Sequence, residues 1–138
     1  MAAESNAART VRFIQTVASA SSADAVAEFF AADAVMHELP NPIAPYGRKR
    51  TLADLHAAFG AGRKLLRSQT YDVRSVIEMG DEVAAEVEWT GVLNAPFQRL
   101  PAGYELKASI GMFFTFRAGK IVSQRNYDCY QPFDAQSP

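Results

Sequence analysis

Two acidic side chains, Glu38 and Asp128, have the positions in this sequence that best suit acid/base chemistry. Glu38 stands among apolar neighbours on a short predicted strand, where a carboxylate needs a partner or a raised pKa. Burial could move its pKa from about 4.3 toward roughly 6 to 7, the range useful to a general acid or base near neutral pH. We therefore predict that Glu38 is catalytic. The alternative is that Met36 and Glu38 face solvent, as most glutamates do.

The second candidate, Asp128, belongs to a polar ladder on the last predicted strand. Gln124, Asn126, Asp128 and Tyr130 alternate with other residues and therefore share one face of that strand. If this face points inward, Asp128 and Asn126 approach Glu38, and a pair of carboxylates separates its pKa values into one acid and one base. The alternative places the ladder on a solvated edge or at a dimer surface.

The histidines and the cysteine give weaker signals. His37 is next to Glu38 and should point the other way, although a register slip of one residue would exchange their roles. His56 is expected on the flank of a helix. Cys129 is the only cysteine, so an intrachain disulfide is impossible and no paired-thiol metal or redox motif is present. We predict no metal and no cofactor.

Charge and composition narrow the class of partner. The 138 residues contain 14 lysines plus arginines and 15 aspartates plus glutamates, a balance that lacks the basic footprint of proteins that bind nucleic acid or anionic membranes. No apolar run reaches the length of a membrane span, and no secretion signal is recognisable at the start. We predict a single domain over residues 1–138 with an ordered core from about 6 to 133, in the cytoplasm, with a small molecule as its ligand.

Apolar spacing predicts the helices that come first. Residues 6–18 repeat apolar side chains at helical intervals, and a second, short helix follows and ends near Ala31. Thr51 and Asp54 have the spacing of a capping box, so a third helix should begin there.

A change of period then predicts a sheet. Residues 35–39 form a brief strand that ends at a run of prolines. After residue 68 apolar and polar side chains alternate with a period of two, which indicates four long strands joined by turns near Gly80 and Gly119 and by a loop over residues 94–103. Helices followed by a meander favour the α+β class.

This order of elements resembles the SnoaL-like branch of the nuclear-transport-factor-two-like superfamily. The resemblance rests on the segments FFAADAVMHELP, PYGRKRTL, SIGMFF and FRAGKIVSQRNY, and covers almost the whole chain. It implies a cone-shaped fold, a cystatin-like α+β roll, in which three N-terminal helices pack on a curved, mainly antiparallel sheet around an apolar pocket. Ketosteroid isomerases, limonene epoxide hydrolases and polyketide cyclases share this fold.

The catalytic residues of these relatives carry over unevenly. Glu38 matches the general-base aspartate of the ketosteroid isomerases, whereas their oxyanion tyrosine and protonated aspartate fall on Phe13 and Met112. Losing one such donor typically costs about 100-fold to 1,000-fold in rate, so an efficient ketosteroid isomerase is not predicted.

The epoxide hydrolase triad is also incomplete. Its arginine and first aspartate fall on Val87 and Trp89, and its second aspartate falls on Asn126. The tyrosine and asparagine that hold the attacking water fall on Met36 and Glu38. Hydrolysis through that triad is therefore not predicted.

The resemblance and the residues together predict a small enzyme that needs no cofactor. It would isomerise, cyclise or hydrate a hydrophobic, ring-bearing substrate, with Glu38 and Asp128 catalytic. The alternatives are a non-catalytic protein that binds a lipophilic ligand or dimerises as an accessory domain, and a protein-association module. A homodimer would form through the opposite sheet face, which carries Arg125, Tyr127 and Cys129. The residues predicted to contact substrate are Phe13, Met36, Val87, Trp89, Met112, Phe114, Asn126 and Tyr130.

Overall fold

Within residues 4–133 the fold is α+β, with one six-stranded sheet and three α-helices. A computed structural model of the chain describes residues 4–133. The helices are α1 (Asn6–Ser19), α2 (Ala23–Ala27) and α3 (Leu55–Leu65), the last preceded by a 3-10 turn at Leu52–Asp54. The strands are β1 (Phe30–Glu38), β2 (Arg48–Thr51), β3 (Leu66–Met79), β4 (Glu82–Leu93), β5 (Glu105–Arg117) and β6 (Lys120–Tyr130).

The sheet is mixed and open. Its strand order is β2-β1-β6-β5-β4-β3, so β2 and β3 are the two edges. Only β1 and β6 run parallel to each other, and the other neighbours in the sheet are antiparallel. The predicted α+β class and the four long strands β3 to β6 are confirmed. The parallel contact matters most for function, because it places the end of β1 beside β6.

The helices differ from the prediction in two respects. The first helix was predicted over residues 6–18 and is α1, but α2 ends at Ala27 rather than near Ala31. Phe30 already pairs with Ile121 of β6, and the Ile121 amide donates to the Phe29 carbonyl at 2.9 Å. Pairing with β6 therefore overrides the helical spacing of the apolar residues. Since α3 follows β1 and β2, the prediction of three N-terminal helices is not confirmed in that form.

An aromatic cluster fixes α1 to one face of the sheet. The Phe13 ring makes edge-to-face contacts with Phe29, Phe30 and Phe114 at centroid distances of 5.4, 5.4 and 5.7 Å. Pairs of this geometry stabilise a fold beyond the area they bury. Phe13 and Phe30 of this cluster also line the cavity between the helices and the sheet that is described below.

Candidate active site

A cavity of two compartments lies between the helices and the sheet. The large compartment has a volume of about 580 Å³ and the small compartment a volume of about 200 Å³. Elements α1, α2, α3, β1, β2, β3 and β6 all contribute to the large compartment. Six residues line both compartments, which are therefore adjacent: Glu38, Arg48, Leu66, Gln69, Tyr71 and Asn126.

Strand register explains why the polar residues meet here. In the parallel pair of β1 and β6, Glu38 is the partner of Asn126. Asp128 lies two residues further along β6 and Tyr130 four residues further, on the same face because side chains alternate along a strand. Asn126, Asp128 and Tyr130 accordingly all line the small compartment, and Gln124 lines the large compartment. The polar ladder thus faces the cavity, not the outer surface.

The Glu38 carboxylate is held by two partners, Asn41 in the loop that follows β1 and Arg48 at the start of β2. Asn41 Nδ2 donates a hydrogen bond of 2.8 Å to Glu38 Oε2, and Arg48 Nε lies 3.8 Å from Oε1. The Glu38 side chain is 20% exposed, so it remains accessible from the cavity. Both partners fix the orientation of the Glu38 carboxylate at the cavity.

Asn41 also organises the loop itself. Its side chain is buried, and its Oδ1 accepts hydrogen bonds from the amides of Ile43 and Ala44 at 2.9 and 3.1 Å. Further along the loop, Gly47 has a φ of +69°, and a Cβ there would lie 2.7 Å from the Glu38 carbonyl oxygen. Only glycine fits this close approach. Asn41 and Gly47 together fix the end of β1, and with it the position of Glu38.

Replacing Asn41 by alanine should lower the free energy of unfolding by about 2–3 kcal/mol, because the variant loses a hydrogen bond to a charged group and leaves buried amides unsatisfied. Urea denaturation measures this change. Gln15→Ala, which removes an exposed amide from α1, is the control and should change stability by less than about 0.5 kcal/mol. Equal stability of Asn41→Ala and the wild type would contradict the anchoring role of Asn41.

Asp128 has a different environment from Glu38. Its Oδ1 is buried and accepts no hydrogen bond from any residue between 4 and 133. Burial and, to a smaller extent, the negative charge of Glu38 raise the pKa of Asp128 to about 6, against an opposing effect of Arg48. An unsatisfied carboxylate oxygen in a cavity is available to a donor on a ligand, and a pKa near 6 lets the group give up or take a proton close to neutral pH.

A row of side chains across four strands supplies hydrogen-bond donors. Through pairing with β5 and β4, Tyr130, Ala108, Trp89 and Tyr71 are successive neighbours. Burial and the charge of Asp128 both raise the pKa of Tyr71 and of Tyr130 above the ordinary value. Both phenols are therefore neutral donors near pH 7.

Gln69 connects this row to the cavity. Its Oε1 accepts hydrogen bonds from Tyr71 Oη at 3.2 Å and from Trp89 Nε1 at 3.0 Å. Two donors on one oxygen fix the orientation of the amide, and Nε2 is left to donate to a ligand. The Trp89 indole lies over Gly91, where a Cβ would come within 2.4 Å of the ring. Gly91 is thus needed to seat the indole against Gln69.

The structure places most of the predicted site residues at the cavity and excludes two. Val87 and Phe114 are both 0% exposed and line neither compartment, because their side chains are packed into the core. Neither side chain therefore forms part of the cavity wall. His37, which we expected to point outward, contributes to the lining of the large compartment. Of the others, Phe13 and Met36 line the large compartment, Trp89, Met112, Asp128 and Tyr130 the small one, and Glu38 and Asn126 both.

Four residues of the site were missed from the sequence: Asn41, Arg48, Gln69 and Tyr71. Alternation along β3 was an available signal for Gln69 and Tyr71, which are two residues apart and share a face. Asn41 precedes a proline in a loop, a common place for an asparagine that binds backbone amides. Arg48 lies within the PYGR segment. Nothing in its spacing from Glu38 indicated a contact.

Comparison with known proteins establishes the family. A sequence profile of the SnoaL-like domain matches residues 10–124. The chain belongs to the SnoaL-like domain family. No curated protein sequence matches the chain significantly.

Solved structures similar to this SnoaL-like chain show the same nuclear-transport-factor-two-like fold. AclR, a proposed hydroxylase from Streptomyces galilaeus, superposes with a TM-score of 0.75 at 16% identity over 95% of this chain and 83% of its own. IdmH, a proposed polyketide cyclase from Streptomyces antibioticus, superposes with a TM-score of 0.75 at 19% identity, over 91% of this chain and 92% of its own. A proposed polyketide cyclase from Acidithiobacillus ferrooxidans superposes with a TM-score of 0.71 at 21% identity, over 93% of this chain and 91% of its own.

The described part of this SnoaL-like chain lacks two features, a metal-ligand cluster and a helix that could cross a membrane. Within residues 4–133, no three side chains of histidine, cysteine, aspartate or glutamate are grouped so that they could hold a metal ion. No helix in the same range has the length and apolar character needed to cross a membrane.

Proposed function

We propose that this SnoaL-like protein is an enzyme that uses two carboxylates, without a cofactor, for acid/base chemistry on a hydrophobic, ring-bearing substrate. The reaction would be an isomerisation, a cyclisation or an addition of water. The observation that carries the proposal is that one cavity holds two carboxyls in different environments: Glu38, which Asn41 and Arg48 orient, and Asp128, whose pKa burial raises to about 6. Two carboxyls in different environments can divide the roles of base and acid.

In this proposal Glu38 is the general base. Its Oε1 and Oε2 are oriented by Arg48 and Asn41, and it would remove a proton from a carbon next to a carbonyl, or from a hydroxyl or a water. Asp128, in its protonated form, would donate its proton to the oxygen that gains negative charge. The proton on Glu38 then passes to another atom of the product or to solvent, and Asp128 takes a proton back from the hydroxyl it had protonated or from solvent, so that both carboxyl groups regain their starting states.

Neutral donors in the same compartment would orient the substrate oxygen. Gln69 Nε2, the Tyr130 hydroxyl and the Asn126 amide all belong to residues that line the small compartment. Fixed donors of this kind stabilise a developing oxyanion because they need no reorganisation during the reaction. They would take the place of the tyrosine and aspartate of the ketosteroid isomerases, whose positions are occupied here by Phe13 and Met112.

The lining of the large compartment supports an apolar substrate with rings. It includes apolar side chains from all three helices, and a compartment of about 580 Å³ has the size of a typical small-molecule site. The proposed activities of AclR and IdmH, a hydroxylase and a polyketide cyclase, are consistent with such a substrate. The apolar helical lining consists of Phe13, Val17, Ala18, Val26, Leu55, Ala58 and Phe59.

A non-catalytic binding protein is the second candidate. It is favoured by the apolar residues at the donor positions of the isomerases, Phe13 and Met112. Either protein would act as a cytoplasmic homodimer in our proposal. The exposed Phe113 and Tyr127 rings, in edge contact at 5.5 Å on the opposite face of the sheet, support a contact between subunits there.

Turnover of a substrate panel distinguishes the two candidates. Cyclic enones, epoxides and polyketide-like compounds are incubated with the wild type and with the double variant Glu38→Gln/Asp128→Asn, and products are quantified by mass spectrometry. We expect the wild type to convert at least one compound, and the double variant to be slower by about 100-fold or more, since acid/base groups typically supply 10² to 10⁴ in rate. Equal conversion by both proteins would contradict an enzymatic role.

A further inference from the structure

The charged residues that line the large compartment are strongly unbalanced. Four arginines contribute to its surface and only one carboxylate, Glu38. The chain as a whole is nearly neutral, with a formal net charge of −1, so this excess of positive charge is local. The four arginines are Arg48 and Arg50 on β2, Arg63 on α3 and Arg67 on β3.

Two of these arginines already have partners in the protein. Arg48 is paired with Glu38. Arg63 donates a hydrogen bond of 2.9 Å from Nη1 to the Ser21 carbonyl, and its guanidinium lies 5.6 Å from the centre of the Phe59 ring. These contacts hold both side chains in place. Both guanidinium groups still contribute to the positive electrostatic potential of the large compartment.

The other two, Arg50 and Arg67, make no hydrogen bond or ion pair with the residues that the structure describes. The pKa of Asp54 is lowered mainly by two hydrogen bonds from Thr51. The charge of Arg50 lowers it by a smaller amount, without a hydrogen bond between the two side chains. Guanidinium groups at a cavity wall without a protein partner are suited to bind a carboxylate or a phosphate of a ligand.

The acidic side chains of β4 lie away from this surface. On β4, Glu82, Glu86 and Glu88 are exposed and alternate with buried residues, so they lie on the face opposite the cavity. Their charges are separated from the compartment by the sheet. The compartment therefore combines apolar walls from the helices with a positive side formed by β2, α3 and the start of β3.

We propose that the substrate carries an anionic group, a carboxylate or phosphate, which is bound by Arg50 and Arg67 while its rings occupy the apolar part of the large compartment. This inference rests on the proposed function, whose substrate class it narrows from hydrophobic to amphipathic and anionic. The anionic end would lie at the arginines and the reacting oxygen at the small compartment, where Glu38 and Asp128 lie. Binding at the arginines would thus set the direction in which a substrate enters.

An unreactive pair of probes tests this inference separately from catalysis. Anthracene-2-carboxylate and anthracene-2-carboxamide have the same rings and differ in charge, and their dissociation constants are measured by fluorescence titration. We expect the carboxylate to bind the wild type about tenfold tighter or more, since charge-assisted hydrogen bonds are stronger than neutral ones. The preference should weaken as salt is added. Because neither probe reacts, an inactive protein could still show the preference, and an active one could lack it.

Two double variants that each lose two arginines show whether Arg50 and Arg67 cause the preference for the carboxylate probe. The variant Arg50→Gln/Arg67→Gln should bind the two probes within about twofold of each other. Arg74→Gln/Arg99→Gln removes the same charge from exposed sites outside both compartments and should keep the wild-type preference. Equal affinity of the wild type for both probes, no measurable binding of the carboxylate, or the same loss in both double variants would each overturn the proposal.

Discussion

Replacing Asp128 by asparagine should stabilise the protein near pH 7 by about 2 kcal/mol and slow turnover at least 100-fold. Stability should rise because the pKa of Asp128 is about 6 in the folded protein against an ordinary value of 3.8. One unit corresponds to about 1.4 kcal/mol, so ionising this side chain in the fold costs roughly 3 kcal/mol before remaining solvent contact is considered. Asparagine has the same shape and no charge. Turnover should fall because the variant has no proton to donate.

The size of this stabilisation depends on pH. Below about pH 4 the carboxyl is protonated in both the folded and the unfolded chain, so it costs nothing. Between about pH 4 and pH 6 the unfolded chain loses the proton while the folded protein keeps it, and stability therefore falls as pH rises through this window. Above pH 6 the loss is constant. The advantage of Asp128→Asn over the wild type should be absent near pH 4 and complete near pH 7.

Urea denaturation at pH 4, 5, 6 and 7 measures this difference directly. Asp72→Asn is the matched control, since Asp72 is exposed and forms only a surface ion pair with Arg74 at 3.0 Å. Surface pairs contribute about 0–1 kcal/mol, so this variant should not gain stability with pH. If Asp128→Asn is equally or less stable than the wild type at pH 7, Asp128 is not a strained, buried carboxyl.

Replacing Glu38 by glutamine should lower kcat/KM by about 100-fold to 10,000-fold, the range that a general base supplies. Glutamine can still accept the hydrogen bond that Asn41 donates to Oε2, so the loop should stay in place and the loss should be in kcat. Steady-state kinetics on the substrate found in the panel measures the effect. Glu86→Gln, which removes an exposed carboxylate from the outer face of β4, should retain wild-type kinetics.

The pH dependence of the wild type adds a second check on the roles. If Asp128 acts as the acid, activity should fall as pH rises through about 6, because the protonated fraction falls there. A Glu38→Gln protein that keeps its kcat but raises KM would show that Glu38 binds the substrate without acting as a base.

Sequence patterns were sufficient for the parts of the site that lie on regular strands. The period of two along β6 placed Asn126, Asp128 and Tyr130 on one face, and the structure has them on the cavity. The capping-box spacing of Thr51 and Asp54 is also present as hydrogen bonds, although a 3-10 turn separates it from α3. Local rules succeed at these positions because the relevant partners are a few residues away.

Features that depend on distant strands could not be read in this way. The early end of α2 follows from pairing of Phe30 with Ile121 of β6, and the row that contains Tyr71 and Trp89 exists only once β3 to β6 are in register. Val87 was predicted to contact substrate from its place on a middle strand, yet dense packing leaves it 0% exposed. Alternation assigns a face to such a residue but not its distance from a cavity.

The contrast between the two carboxyls is the other feature that the sequence did not resolve. Burial is the main cause of the raised pKa of Asp128, and the sequence did not show how deeply this carboxyl is buried. Asn41, in the loop after β1, and Arg48, at the start of β2, contact Glu38, whereas no residue between 4 and 133 donates a hydrogen bond to Asp128 Oδ1. Loop conformation of this kind depends on single contacts, here those of Asn41 and Gly47, that periodicity does not report.

The central claim is that Glu38 and Asp128 act on each other across one cavity, and an NMR titration of the Asp128 carboxyl carbon tests it most directly. Asp128→Asn assigns the signal by its disappearance. We predict a midpoint near pH 6 in the wild type and a lower midpoint in Glu38→Gln, because the charge of Glu38 is one of the causes of the raised pKa. A midpoint near 3.8 in the wild type, or one that does not move in Glu38→Gln, would contradict the paired-carboxylate site.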